Sequence, residues 1–142
     1  MKSKINRIIG NTVENNTFSI GILFFRLVIG VLMLTHGFAK LSNFEMMSSQ
    51  FPDILGIGSQ WNLILVIFAE FGCSILLILG LFTRLATIPL IITMLVAIFV
   101  AHASDPFAMK EMPVLYLAIY FFVLIVGSGK FSVDYLLNRK LK

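Results

Sequence analysis

The chain is 142 residues long, 58% of it apolar and only 13% charged, with a formal charge of +4. Soluble domains carry roughly a quarter charged residues and a chain this short cannot hide so much apolar surface in one core, so the composition excludes a soluble domain and makes lipid the solvent. Long unbroken apolar runs exclude a β-barrel, whose strands alternate over about ten residues, and the basic residues form no surface interleaved with aromatics, which excludes a nucleic-acid partner.

Helices are the spanning structure that remains. Residues 1–17 are polar, with Lys2, Lys4 and Arg7, and read as a cytoplasmic lead-in. The apolar run that follows is too long for a signal peptide and ends in Lys40 without a small-residue cleavage site. Spans are expected at 18–39, 61–82, 85–103 and 112–126, inside a transmembrane domain of 18–130. The fourth falls short of the roughly 20 residues a bilayer requires. It is expected to begin nearer Pro106, with Pro113 tolerated in a first turn and Gly127-Ser128-Gly129 as its stop. Residues 131–142 form a cytoplasmic interfacial tail, an amphipathic helix capped by Ser132 with Tyr135, Leu136 and Leu137 on its apolar face.

Eight basic residues (Lys2, Lys4, Arg7, Arg84, Lys130, Arg139, Lys140 and Lys142) fall on one side of these spans, and Lys40 and Lys110 on the other. The positive-inside rule then places both termini in the cytoplasm. The expected fold class is therefore all-α, an integral membrane four-transmembrane-helix bundle, N-in/C-in, with a short amphipathic C-terminal helix. Trp61 and Tyr135 read as interface anchors. Cys73 is the only cysteine, so the chain makes no internal disulfide or CxxC pair.

Ionisable groups inside a span are expensive and normally functional or paired. Arg26 and Glu70 sit well inside the first and second spans, and a mutual ion pair and a ligand site are both open. Arg26, Gly30, Met33, Gly37 and Lys40 share one helical stripe, on which Gly30 and Gly37 permit close approach of a neighbour. His36, His102 and Glu111 lie by depth near Lys40. The expectation is one polar pocket in the outer half of the bundle, lined by His36, Lys40, Glu70, His102 and Glu111 and floored by Arg26. A bis-histidine haem held by His36 and His102 is conceivable, whereas a metal such as zinc lacks enough imidazole or thiolate ligands.

The stretches FRLVIGVLMLTHGFAKL, AEFGCSILLILGLFTRLA and GSGKFSVD, with His102 and Glu111, resemble the DoxX family of small four-helix bacterial membrane proteins over about residues 25–135. Where the family usually shows a Gly pair after the glutamate this chain has Gly72-Cys73, so close packing at Gly72 is expected to be slightly looser. The resemblance implies a bacterial cytoplasmic (inner) membrane location and Arg26, His36, Lys40, Glu70, His102 and Glu111 as the polar positions that matter. Some relatives are membrane subunits of quinone-linked oxidoreductases, and others join assemblies with a sulfurtransferase and a superoxide dismutase. The implied role is a membrane subunit of an oxidoreductase complex that binds quinone or a small sulfur-containing substrate and anchors a soluble or membrane partner. A homo-oligomer, a small-solute transporter and a non-catalytic assembly protein remain open. No intrinsic cofactor motif is present, so redox chemistry would need a partner or a bound group.

Overall fold

The computed structural model describes residues 15–141. The expected lead-in with Lys2, Lys4 and Arg7 lies outside the described residues, apart from its last three positions. Four helices are long and apolar enough to cross a membrane. α1 is Asn16–Ser42, α2 is a short piece, Phe44–Ser48, and α3, α4 and α5 are Ser59–Leu79, Thr83–Ala101 and Phe107–Val126. A last helix, α6, is Val133–Leu141. Among the described residues there is no strand.

Local sequence accounts for the helix ends. The Asn15 side chain accepts from the Thr17 and Phe18 amides at 2.9 and 3.3 Å, capping α1. α5 starts directly after Pro106, which has no amide to leave orphaned. α3 stops at Gly80, whose φ of +70° is the left-handed conformation that ends a helix. Ser132 caps α6, its Oγ accepting from the Tyr135 amide at 3.1 Å.

The spans run antiparallel in succession, so one end of the bundle carries the start of α1, the α3–α4 turn and α6. We call it the terminal end, and the opposite end, with residues 43–58 and 102–106, the loop end. α4 and α5 pack along their length and α1 lies on α3, whereas α1 meets α5 only loosely. The core holds Leu63, Leu77, Leu90, Tyr120 and Val123, all with no exposed surface. Phe24, Trp61, Phe99 and Ile125 are by contrast more than 60% exposed. Such an apolar exterior is stable only against lipid.

Two spans are interrupted by wide π turns, Phe68–Cys73 within α3 and Ala97–Ala101 at the end of α4. A π turn inserts an extra residue and rotates the side chains that follow, and it recurs at functional sites. Glu70 lies in the first, and His102 directly follows the second.

Candidate functional site

The polar residues expected to form one pocket separate into two clusters and two surface positions. Side-chain direction explains the division. Side chains on a helix lean toward its N-terminus, so on α1 they lean toward the terminal end and on the antiparallel α3 toward the loop end. Arg26 therefore reaches away from Glu70, while Lys40 and Glu70 lean toward each other.

Arg26 is 1% exposed. Its Nε donates to the Leu77 carbonyl at 3.0 Å and its Nη2 to that of Ile78 at 3.0 Å. Nη1 donates to the Ser128 and Phe131 carbonyls at 2.5 and 3.1 Å. The Leu77 and Ile78 carbonyls belong to the last turn of α3 and would otherwise be orphaned in a dry interior. A cation there also opposes the negative end of the helix dipole. Gly80 is required beside it, because a Cβ would strike the guanidinium and come within 2.6 Å of the Ser132 Cβ.

Asp134, 1% exposed, completes this cluster within coulombic reach of Arg26. Its carboxylate accepts from the Phe82 and Thr83 amides at 2.7 and 2.9 Å, capping α4 from a distant part of the chain. Its own amide donates to the Gly80 carbonyl at 2.9 Å. Arg26 thus forms the lock of the terminal end and not the floor of an outer pocket, and its partners are carbonyls and Asp134, not Glu70.

At the loop end, Lys40 Nζ donates to Glu70 Oε2 at 2.5 Å, with side-chain exposures of 22% and 7%. Gly37 makes the approach possible: a Cβ there would stand 2.5 Å from the Phe71 amide nitrogen and 2.7 Å from the Glu70 carbonyl carbon. Both are backbone atoms of the π turn, which have nowhere to retreat. Gly30 faces a side chain, Ile78, which is easier to displace. Gly72 meets nothing closer than Phe68 of its own helix, at 3.7 Å, so it does not serve as a close-packing residue between helices.

The ion pair borders a cavity of about 150 Å³ lined by His36 and Met33 of α1, Met94 of α4, and Met112, Pro113 and Tyr116 of α5. All four spans contribute. The His36 ring stands edge-on to Tyr116, centroids 6.3 Å apart and planes at 84°, and Tyr116 lies 6.1 Å from Tyr120 deeper in the core. His36 is exposed along the loose α1–α5 seam. The ammonium of Lys40 has three donors and gives one to protein, so the pair retains hydrogen-bonding capacity toward the cavity.

His102 and Glu111 are not brought to it. His102 Nδ1 lies 2.7 Å from Asp105 Oδ2 in the α4–α5 turn, and Glu111 is exposed in the second turn of α5. Depth predicts their level correctly but not their angle around the bundle, and the π turn before His102 rotates it away. His36 and His102 consequently do not face one cavity, and the paired-imidazole haem site has no geometry here. Met94 and Tyr116 occupy the places on α4 and α5 that had been assigned to them.

A larger cavity of about 330 Å³ lies between residues 51–55, α3 and α4, walled by Phe51, Leu55, Leu65, Pro89 and Ile92. It is almost wholly apolar and shares no residue with the first, so its size does not make it the chemical centre. It suits a lipid chain.

The DoxX family pattern matches residues 21–103, which contain the Arg26, His36, Lys40 and Glu70 positions. The chain belongs to the DoxX family. Inner membrane protein YqjF of Escherichia coli (strain K12) is similar at 29% identity over 125 residues, covering 85% of this chain and 95% of that protein. No solved structure matches. The DoxX match ends in the α4–α5 turn, so Ser128 and Asp134, which complete the Arg26 lock, lie beyond it, whereas three of the four spans lie within it.

Proposed function

We propose that this DoxX-family chain is a multi-pass inner-membrane protein, terminal end in the cytoplasm, that binds a quinone headgroup in the loop-end cavity as the membrane subunit of an oxidoreductase. The inner-membrane placement follows the printed name of its Escherichia coli relative. The orientation follows the surplus of Lys and Arg at the terminal end.

One observation carries the ligand reading: a cavity of about 150 Å³ bordered by the Lys40–Glu70 pair, His36 and Tyr116, with an apolar remainder. An engineered cavity of similar size takes up a single benzene ring, so the space matches one quinone ring. Methionine side chains adapt to flat rings and favour sulfur–aromatic contact, and Met33, Met94 and Met112 supply three. Lys40, His36 and Tyr116 offer donors to the ring oxygens, and Glu70 exchanges a proton. An isoprenoid tail leaves along the α1–α5 seam into lipid. Reduction of a quinone consumes two electrons and two protons; the electrons come from a partner's redox centre and the protons through Glu70 and its neighbours. A small sulfur-containing substrate would use the same cation and donors without filling the apolar half of the cavity.

The test is retention of quinone. Protein purified in mild detergent should carry close to one quinone per chain by extraction and mass spectrometry. His36→Ala and Lys40→Ala should lower that content while remaining folded. Wild-type protein without quinone, and unable to bind added decylubiquinone, overturns the reading.

A further inference from the structure

Below the Lys40–Glu70 pair the interior holds two hydroxyls that the site just described does not use. Ser74 stands one turn below Glu70 on α3, and Tyr120 one turn below Tyr116 on α5. Both have no exposed surface, and neither the Ser74 Oγ nor the Tyr120 hydroxyl has a hydrogen-bond partner. Glu70 lies within coulombic reach of Tyr116 and Tyr120. Ser74 follows the π turn, and its backbone carbonyl faces Gly30 of α1.

A buried hydroxyl without a partner is costly, more so where lipid surrounds the bundle and no bulk water can reach it. Phenylalanine and alanine would fill the same places without that cost. Internal waters occur where two to four polar groups converge on one small space, and Glu70, Ser74 and Tyr120 are three such groups at neighbouring levels of the core.

We infer that the Glu70 carboxylate, the Ser74 hydroxyl and the Tyr120 hydroxyl hold an internal water behind the ion pair, and that this water is the proton-exchange position of the cavity. The ligand class follows: a molecule whose bound form gains or loses protons. When Glu70 protonates such a ligand, its carboxyl O–H breaks and a ligand O–H forms. The water then passes a replacement proton from solvent at the cavity mouth to the carboxylate. No electrons move in this step. The inference rests on the loop-end cavity being a ligand site, but its test needs no ligand.

The chain has three tyrosines, so ring-carbon-13-labelled protein in lipid nanodiscs gives a resolvable NMR spectrum. The deuterium isotope shift of each ring carbon bonded to oxygen then reports exchange of that hydroxyl. Tyr120 should exchange with deuterated solvent despite its burial, and Glu70→Gln should lose that exchange. Tyr120→Phe and Ser74→Ala should each lower the melting temperature, and their combination should lower it by less than the sum, because one water is shared. A Tyr120 hydroxyl that stays protonated in deuterated buffer overturns the inference, as does a Tyr120→Phe variant that melts higher than wild type. Either result leaves quinone retention unaffected, so the two proposals fail separately.

Discussion

Arg26 and Lys40 stand on the same helix, and each carries a charge that lipid would reject, yet the bundle neutralises them in opposite ways. Arg26 spreads four hydrogen bonds over four backbone carbonyls and has Asp134 near by, leaving one of its five donors unspent. Lys40 has a single carboxylate, keeps 22% of its side chain exposed, and borders a cavity. A buried cation saturated by backbone acceptors holds a fold together, because nothing can join it without breaking what is there. One with donors to spare, beside open volume, is equipped to receive something. The terminal end is thus a lock and the loop end a site, although both are built from the motif residues that single out the family.

The largest effect should come from breaking the lock. Arg26→Leu leaves the α3 carbonyls unsatisfied and Asp134 without its cation, and should destabilise by about 3–5 kcal/mol, the range for removing one partner from a buried charged cluster. Arg26→Lys should rescue little, since an ammonium has three donors and no planar fork. Thermal unfolding in detergent, followed by circular dichroism, checks both.

Next comes the ion pair. Glu70→Ala should cost up to about 3 kcal/mol, at the low end for a buried pair because Lys40 is partly exposed. Glu70→Gln should cost less, since an amide still accepts from Lys40, but should lose ligand as completely. The same melts, paired with quinone content, separate stability from binding.

These contrasts show what was legible in the sequence. The four spans were, because periodicity is irrelevant where lipid surrounds a helix and run length alone decides. The stripe on α1 was legible as well, but not the partners of its two cations. Depth along the axis left Arg26 and Glu70 within reach of each other, and only the opposite lean of side chains on antiparallel helices separates them. His102 and Glu111 failed for want of angle: a π turn cannot be read from ALA-ILE-PHE-VAL-ALA, and it resets the phase of whatever follows. Asp134 left a usable trace. The start of α4 has Phe82 where Ser, Thr, Asp or Asn belongs, so a cap had to arrive from elsewhere. Tyr116 and Tyr120, one turn apart and far from the interfaces where tyrosines gather, left another.

A smaller effect should follow Asp134→Ala, which removes the borrowed cap of α4 and should destabilise by about 1–2 kcal/mol, the upper range for a helix cap. Quinone content should hold, and the loss should appear in the melt alone. The smallest should be His102→Ala, whose contact with Asp105 is largely at the surface. Such changes stay within about 0.5 kcal/mol, and neither melting temperature nor quinone content should move. A clear loss of quinone in His102→Ala would return that histidine to the site and break the division between the two ends.

The division itself is tested most directly by quinone content per folded chain in Glu70→Gln and Asp134→Ala, purified side by side with wild type. The account predicts that Glu70→Gln retains its helical spectrum and loses its quinone, while Asp134→Ala melts earlier and keeps it. The reverse pattern, quinone retained without the Glu70 carboxylate or lost with the Asp134 cap, would contradict the assignment of site and lock.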